Sequence, residues 1–489
     1  MSEFNISKKE LTDIFNNAIG KTLGELDRQK VFLRTIEYPK ITGIAGDVIE
    51  QSVIGYPANS SQEPDLVVDG RETELKTTGI RKSKKKNDSQ FEAKEPMTIT
   101  AVSPKRIIHE QFESSKFWHK LEHMLLVYYH YDSDKTVPAA NYANFVVEGF
   151  HFHEFSEEDK NRLKNDWLLV QNFLQTLETT DNPEDGYPFL SSSLRKDLML
   201  IDTSPKWPNP PRFRLKRTAV TSIVQNYFGE QLEKLNQSYT TFKELDHKLQ
   251  ELTMYHQGKT IEQLIKEFGL PMKLNTSRDV NKAIAEQIVV KMFDGHSKKM
   301  SQIELFNKVG LIPKTVTQTV RGARTEDMKL MAIDFEEWTE ENISFEESMV
   351  YSYFNNQQLL CILFEEPQTK GKLLNNRFLG FKRLIIPDYI IDNEVRATWN
   401  RVRELIHNNE LKESYVYNKK GELVMTPKTN LPSTEINFPK SKDSSFFLRG
   451  SGQDASRKTL NINGIQMYSQ NLWMKGSVLL EMLADLDYI

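Results

Sequence analysis

The sequence is poor in cysteine and has no long apolar run. Only one of its 489 residues is a cysteine, Cys361, so the chain cannot form an internal disulfide, as expected in a reducing cytosol. Its longest apolar stretches, such as residues 124–129, are much shorter than the roughly 20 residues that cross a membrane. The polar start of the chain, residues 1–4, is not typical of a signal peptide. We therefore expect a cytoplasmic protein without a membrane partner.

The chain also lacks a strong excess of charge of one sign. It has 64 Lys and Arg against 68 Asp and Glu, for a net charge of −4. This excludes a uniformly basic, histone-like protein but is compatible with a local basic face that binds nucleic acid. No phosphate-binding loop of the G-x-x-x-x-G-K-[ST] type is present, so no ATP-driven activity is predicted. With 489 residues, about two to four domains are expected.

Internal repeats indicate how the chain is divided. Residues 20–26 read GKTLGEL and residues 258–264 read GKTIEQL. Three further pairs of segments resemble each other in the same order: 43–50 and 283–290, 76–78 and 314–316, and 213–216 and 472–475. Fixed-order similarity of this kind predicts two homologous domains, which we place at residues 1–240 and 241–489.

Each half combines helix-like and strand-like patterns, which predicts an α/β fold. Apolar residues recur at helical spacing over 11–19, 44–54 and 283–293. Strand-like runs cover 66–68, 73–76, 98–102, 125–129 and 359–364, and Asp69-Gly70 is a strong hairpin signal between the first two. Cys361 lies in the last run and is expected to be a buried small hydrophobe.

The sharpest chemical signal is Pro64-Asp65, followed by the hairpin and then by Glu74-Leu75-Lys76. Because side chains alternate along a strand, Glu74 and Lys76 should lie on the same face while Leu75 enters the core. The hairpin would bring Asp65 beside Glu74. Two carboxylates then converge, and the Leu75 carbonyl is a candidate third oxygen ligand for Mg²⁺.

Two further residues complete this predicted site, and one alternative stays open. Glu50, at the end of the preceding apolar helix, is a candidate additional carboxylate, and Lys76 is placed to orient or activate a water on the metal. Read alone, Asp65 and Glu74-x-Lys76 also fit an exposed strand face with a weak Glu–Lys pair.

The segments 20–26, Gly46-x-x-x-Glu50 and Asp65 followed by Glu74-Leu75-Lys76-Thr77 resemble the MutH family of nicking endonucleases. Two tandem copies in one chain resemble the Sau-type restriction endonucleases that cut GATC. The resemblance implies two restriction-endonuclease-like (PD-ExK) domains, each a mixed sheet flanked by helices. It also implies a Mg²⁺-dependent catalytic set, which consists of Glu50, Asp65, Glu74, Lys76 and, through His119-Lys120-Leu121, Lys120.

The second copy has lost the carboxylates of this set. Val290 takes the place of Glu50, Ile312 that of Glu74, and the position of Asp65 falls near Ile303, while Lys314 matches Lys76. We expect this copy to be inactive. The resemblance implies that it binds a second DNA site as an allosteric effector, and a purely structural dimerisation domain is the alternative.

Basic residues mark candidate DNA contacts. Residues 76–120 contain eleven Lys and Arg against five Asp and Glu, although such runs are also common in solvated loops. A second basic segment lies at 206–217. The resemblance to the MutH family implies a DNA-recognition loop near 194–196. In the second copy the stretch equivalent to that loop begins at 438. The residues selected are Lys82, Lys84, Lys85, Lys86, Arg195, Lys196, Arg214, Lys216, Lys440, Lys442 and Arg449.

Taken together, the sequence predicts a Mg²⁺-dependent type II restriction endonuclease that acts on double-stranded DNA. A chain with one active site would be a monomer that dimerises on DNA to cut both strands, with a cognate DNA methyltransferase as its partner in the system. The alternatives are a repair-type nicking endonuclease, a DNA-binding module with a vestigial nuclease fold, and a protein–protein scaffold.

Overall fold

A computed structural model describes most of the chain. The described residues are 5–56, 65–83, 91–133, 137–205, 209–322, 326–341, 343–368, 371–418, 420–426, 430–452 and 458–489. They form two compact units. Unit 1 contains the residues up to 248 together with 289–312, and unit 2 contains 249–288 and 313–489.

Unit 1 is built around a mixed sheet. Its strands are β1 (Asn5–Ile6), β2 (Leu66–Val68), β3 (Arg71–Lys82), β4 (Phe91–Ala93), β5 (Met97–Ala101), β6 (Met124–His130), β7 (Val146–His153), β8 (Ile201–Asp202) and β9 (Arg212–Leu215). Its helices are α1 (Lys8–Ala18), α2 (Leu23–Leu26), α3 (Arg34–Glu37), α4 (Ile44–Val48), α5 (Pro104–Ile107), α6 (Lys116–Glu122), α7 (Glu157–Leu177), α8 (Leu190–Leu194) and α9 (Arg217–Tyr227). Helix α10 (Phe242–His256) spans the division between the units.

The main sheet has the order β1-β2-β3-β6-β7, and β4 pairs with β3. Strands β2 and β3 are antiparallel, β3 and β6 are parallel, and β6 and β7 are antiparallel. A separate antiparallel sheet has the order β5-β9-β8. The long strand β3 therefore lies in the middle of the main sheet, where its neighbours fix its register on both sides.

Apolar spacing explains how α1 covers one face of this sheet. Leu11, Phe15 and Ala18 recur at helical spacing and are buried in one cluster with Leu75 of β3 and Leu125 of β6. The helix begins at a capping box, in which Ser7 accepts from the Glu10 backbone N–H and the Glu10 side chain accepts from that of Ser7.

Unit 2 contains two three-stranded sheets. Its elements are α11 (Ile261–Glu267), β10 (Leu311–Thr319), β11 (Met328–Ala332), α14 (Phe335–Trp338), α15 (Met349–Asn356), β12 (Gln358–Glu366), β13 (Arg377–Leu384), α16 (Asp388–Ile390), α17 (Arg396–His407), β14 (Glu413–Tyr415), β15 (Thr434–Ile436), β16 (Phe446–Gly450), β17 (Leu460–Ile462), β18 (Ile465–Met467), β19 (Gln470–Met474) and α18 (Gly476–Ala484). The sheets have the orders β10-β12-β13 and β11-β19-β16, and β14-β15 and β17-β18 form two-stranded ribbons. Helix α12 (Ile284–Met292) spans the division, and α13 (Glu304–Val309) belongs to unit 1.

The prediction of an α/β fold with a mixed sheet is confirmed, and Cys361 is buried as expected. The structural division differs from the expected boundary after residue 240, because residues 289–312 pack into unit 1. No helix among the described residues is both long and apolar enough to cross a bilayer.

Candidate active site

The hairpin from β2 to β3 places Asp65 next to Glu74. Asp69 and Gly70 form its two-residue turn, and both have positive φ, 46° and 80°, as a type I′ turn requires. The turn pairs Leu66 with Thr73, and the Leu75 N–H donates to Asp65 Oδ2 at 3.0 Å. The predicted convergence of the two acidic residues is therefore present in the structure.

Two lysines bind the carboxylate of Glu74. Lys76 Nζ lies 2.7 Å from Oε1, and Lys120 Nζ donates to both oxygens at 2.9 Å. Glu74 is 1% exposed, and a carboxylate buried this deeply is costly unless cations pair with it. The expected alternation along β3 is confirmed, since Glu74 and Lys76 meet on one face and Leu75 is buried in the core.

Helix α6 positions Lys120 beside Glu74. It begins at Ser115, whose side chain accepts from the Trp118 backbone N–H. Just beyond its end, the His123 carbonyl accepts from the Glu74 N–H at 2.9 Å, which ties the helix directly to β3. The side chain of Lys120 is only 10% exposed, whereas that of Lys76 is 24% exposed and is the more accessible ammonium.

Glu50 lies close enough to the same group of charges to interact with them electrostatically. It lies in a π-helical turn, Ile49–Ile54, that directly continues α4. Burial and, after it, the negative charge of neighbouring Asp65 raise the pKa of Glu50 to about 7, while Lys76 opposes the shift. Burial and the charge of Glu74 also raise the pKa of Asp65. The three predicted carboxylates therefore influence one another electrostatically.

The carboxylate oxygens of this site are of the kind that binds a hard divalent cation, but the protein alone does not provide a complete set of ligands. Among the described residues, no three His, Cys, Asp or Glu side chains already form a metal-ready group. The lysines bind the oxygens of Glu74, and Asp65 Oδ2 accepts from Leu75 N–H. Carboxylate and carbonyl oxygens suit a hard divalent cation, which can keep several of its waters when the protein supplies few ligands.

Some predicted DNA contacts of unit 1 are exposed and others are not. Lys82, at the end of β3, and Lys196, after α8, are exposed. Arg214 lies on β9, where it forms a two-point ion pair with Asp202 at 2.8 and 3.0 Å and is partly exposed. Lys84, Lys85 and Lys86 lie outside the described residues.

The structure contradicts two of these expected contacts. Lys216 is 1% exposed and donates to the Leu198 carbonyl at 2.5 Å, so it cannot reach DNA from this position. Arg195 is 8% exposed and is also buried. In the sequence, both residues resemble phosphate contacts, because the sequence alone does not show whether the charged group of a long side chain is buried.

The loop near Lys216 is held by a residue that the sequence analysis missed. Asp166 of α7 is buried, and its carboxylate accepts from the backbone N–H groups of Met199, Leu200 and Ile201 at 2.7–3.1 Å. Burial raises its pKa to about 6, although the three hydrogen bonds and Lys216 oppose the shift. A lone Asp in a long polar helix gives no sequence signal for such a role.

Unit 2 presents its three predicted DNA contacts differently. Lys442 is exposed, and Lys440 is half-buried and pairs with Glu435 at 2.8 Å. Arg449 of β16 is exposed, pairs with Asp327 at 2.6 Å and lies over the rings of Phe447 and Trp473, at 5.0 and 4.7 Å.

The positions that the repeat pattern aligns with the three carboxylates, in the predicted second copy, are apolar and mostly buried. Val290 and Ile303 are fully buried, and Ile312 is half-buried. Lys314 of β10 donates to the carbonyls of Lys329 and Leu330 at 2.6 and 3.3 Å, and burial lowers its pKa to about 8.

A mixed sheet with a carboxylate–lysine cluster on its central strand is the part of this chain that matches a known family. Residues 54–166 match the family model described as the DNA mismatch repair enzyme MutH. The matched range contains Asp65, Glu74, Lys76 and Lys120, and Glu50 lies just before it. A relative is the type II restriction enzyme Sau3AI of Staphylococcus aureus, which is 23% identical over 414 residues, or 81% of this chain and 79% of that enzyme. These similarities support a MutH-like nuclease of the restriction type.

Proposed function

We propose that this chain is a type II restriction endonuclease that hydrolyses double-stranded DNA at a specific short palindrome in the presence of Mg²⁺. The observation that carries the proposal is the cluster of Asp65, Glu74, Lys76 and Lys120 on and beside β3. Its support is the 2.7–3.0 Å contacts among these groups and the similarity to Sau3AI over most of the chain.

Each residue of the cluster has a distinct role in this reaction. Asp65, Glu74 and Glu50, with the Leu75 carbonyl, would hold Mg²⁺, which when bound would supply Lewis-acid stabilisation of the negative charge on the scissile phosphate. Lys76 orients the attacking water and offsets the negative charge that develops on the phosphate. Lys120 holds the Glu74 carboxylate in place. Water attack at phosphorus with departure of the 3′ oxygen leaves 5′-phosphate ends.

The specificity we propose is GATC, which the resemblance to the Sau-type enzymes implies. Since one chain contributes one active site, cutting both strands of a palindrome requires two chains. We propose a monomer that dimerises on DNA and works in a restriction system with a cognate methyltransferase. Lys82 and Lys196 are the exposed candidates of unit 1 for phosphate contact.

We further propose that residues 241–489 contain a second, inactive MutH-like copy that binds another DNA site as an allosteric effector. The sheet orders β10-β12-β13 and β11-β19-β16 parallel the orders β3-β6-β7 and β5-β9-β8 in unit 1. Equivalent capping boxes start α2 at Thr22 and α11 at Thr260.

The helix caps also relate the two candidate sites. Ser115 and Ser348 cap α6 and α15, and each donates to the carbonyl three residues earlier. Five residues after the caps stand Lys120 and Tyr353. Lys120 binds Glu74, whereas the Tyr353 hydroxyl donates to the Leu330 carbonyl at 3.2 Å. The side chains of the second copy therefore donate to backbone carbonyls, whereas Lys120 in the first copy donates to the carboxylate of Glu74.

The test is plasmid cleavage with and without Mg²⁺, on GATC-containing DNA that is unmethylated or adenine-methylated, with the ends sequenced. Linear, Mg²⁺-dependent products with ends at GATC are expected. Nicked circles alone would favour a repair-type nicking enzyme, and ends elsewhere would reject the GATC specificity.

The Glu74→Gln variant tests the catalytic assignment. We expect cleavage to fall by at least about 10³-fold, because the amide removes the charge that holds both the metal and the lysines. DNA affinity, measured by gel shift in Ca²⁺ buffer, should persist. Cleavage at the wild-type rate would reject Glu74 as a metal-binding residue.

A further inference from the structure

We propose that Asp27 and Ser52 are positioning residues that hold the turn carrying Glu50 against the catalytic strand. The inference rests on the proposed function, because it assigns a task to these two residues within the same Mg²⁺ site. Neither residue touches the cluster formed by Glu74 and its lysines, so their effect would act through the backbone of the turn.

The turn that carries Glu50 is irregular and needs external support. Residues Ile49–Ile54 form a π-helix, a conformation that is rare and is concentrated at functional sites. It closes at Gly55, whose φ of 85° is left-handed and whose N–H donates to the Glu50 carbonyl. The Tyr56 N–H donates to the same carbonyl at 2.8 Å. The backbone of Glu50 is thus the acceptor that ends the turn.

A polar bridge fixes this turn from one side. The Ser52 hydroxyl donates to Asp27 Oδ1 at 2.8 Å and accepts from the Gln29 N–H at 3.0 Å. The Asp27 carboxylate also accepts from the Val31 and Phe32 N–H groups at 2.8 and 2.9 Å. Because Asp27 is held by two backbone groups, it offers Ser52 a rigid anchor directly after the GKTLGEL segment.

Close packing also holds α4, the helix that leads into the turn. A Cβ atom added to Gly46 of α4 would lie 3.3 Å from the Thr77 Oγ1 of β3, a tighter contact than most side chains make. Thr77 follows Lys76 directly. The helix is therefore pressed onto β3 beside the catalytic lysine, while the Ser52 bridge anchors its far end.

The second copy lacks this support where it lacks the carboxylate. At the repeat spacing that places Val290 opposite Glu50, Ser52 corresponds to Met292 and Gly46 to Glu286. Asp27 corresponds to Ile265 at the spacing of the GKT segments. Both apolar replacements, Met292 and Ile265, are buried. A polar bridge is thus present in the copy that retains Glu50 and absent from the sequence of the other.

The experiment compares Ser52→Ala with Ser52→Thr, which keeps the hydroxyl. Ser156→Ala is the matched control, because it also removes a serine that accepts a backbone N–H in unit 1, at the start of α7. Two quantities are measured on the full-length chain: the Mg²⁺ concentration for half-maximal cleavage and the Mg²⁺ affinity of the free protein by calorimetry. We expect both to weaken about tenfold or more in Ser52→Ala and to stay near wild type in the other two variants.

The outcomes separate this inference from the proposed function. If the wild-type protein neither binds Mg²⁺ nor cleaves DNA, the proposed function itself is refuted. A wild-type protein that does both, together with a Ser52→Ala variant of unchanged Mg²⁺ affinity, would overturn only the inference. An equal shift in Ser156→Ala would do the same, since it would show a general loss of stability. If Ser52→Ala fails to fold, Ser52→Cys, which keeps the size of the side chain with a weaker donor, provides the same comparison.

Discussion

At the scale of single residues, the candidate site has more negative than positive charge. Glu50, Asp65 and Glu74 face two ammonium groups, those of Lys76 and Lys120. Burial, followed by the charges of neighbouring carboxylates, raises the pKa values of both Glu50 and Asp65. A divalent cation would supply the missing positive charge, and its binding would require Glu50 to release its proton.

Glu50→Gln should therefore stabilise the metal-free protein at alkaline pH. The folded-state pKa of Glu50 is raised to about 7 from an ordinary value of 4.5, so the folded protein favours the neutral carboxyl. Stability from that neutral form is complete below pH 4.5 and is lost as the pH rises through 7. At pH 8 without Mg²⁺ we expect the variant to be more stable by about 1–3 kcal/mol.

Urea denaturation of wild type and Glu50→Gln in EDTA at pH 5 and pH 8 measures this difference. The two proteins should be nearly equal at pH 5, where both side chains are largely neutral. A gap of the same size at both pH values would show that protonation of Glu50 does not cause it.

At the scale of elements, α7 and α9 hold the loop that follows α8. Asp166 of α7 binds three backbone N–H groups of residues 199–201, and Lys216, which caps α9, binds the carbonyl of Leu198. This loop lies directly after Lys196, a candidate DNA contact. The buried pair therefore fixes the base of the segment that carries this exposed lysine.

Lys216→Met and Lys196→Ala should have opposite consequences. Lys216→Met leaves Asp166 buried without its cation, so we expect a loss of about 3 kcal/mol or more in unfolding free energy. It should leave the salt dependence of DNA binding unchanged. Lys196→Ala should barely alter stability and should reduce the salt slope by about one. Chemical denaturation and DNA titrations at several salt concentrations distinguish them, and a reduced slope in Lys216→Met would restore it as a phosphate contact.

Local patterns in the sequence predict elements, but not the contacts between distant elements. The hairpin at Asp69-Gly70 and the shared face of Glu74 and Lys76 follow from turn chemistry and strand alternation, and both are present. The π-helical turn at Glu50 and the burial of Arg195 and Lys216 depend on residues far along the chain. No periodicity of charge or hydropathy encodes those partners, so the sequence predicted an apolar helix around Glu50 and DNA contacts at Arg195 and Lys216.

At the scale of the whole molecule, residues 289–312 complete unit 1 although the repeat pattern assigns them to the second copy. Lys308 of α13 is 7% exposed, and its ammonium lies 2.6 Å from the carboxylate of Asp159 on α7. Asp159 in turn pairs with Arg162 at 2.7 Å. The Glu233 carboxylate accepts from the backbone N–H groups of His296 and Ser297 at 2.6 and 2.7 Å.

A fragment of residues 1–240 should consequently be less stable than one of residues 1–312. The shorter fragment lacks Lys308, and removing one partner of a buried ion pair typically costs about 3–5 kcal/mol. Thermal melts and limited proteolysis of both fragments measure the difference. The longer fragment with Lys308→Met is the control, and it should lose most of its advantage. Equal melting temperatures for the two fragments would mean that residues 289–312 are not needed by unit 1.

The proposed effector role of unit 2 predicts a change in the number of DNA duplexes that each chain binds. In a Glu74→Gln background, which prevents cleavage, two GATC duplexes per chain are expected. Arg449→Ala should reduce this to one at the same DNA concentration. The exposed guanidinium is restrained by its ion pair with Asp327 and lies over the rings of Phe447 and Trp473, so it would lose less conformational entropy on binding DNA. Arg401→Ala is the matched control, since Arg401 is an exposed arginine of unit 2 that pairs with Glu404 on α17. Calorimetric titration gives the stoichiometry directly.

If the Glu74→Gln protein with Arg449 intact binds a single duplex per chain, a purely structural second copy is favoured. If the protein that also carries Arg449→Ala still binds two duplexes, the effector contact lies elsewhere in unit 2.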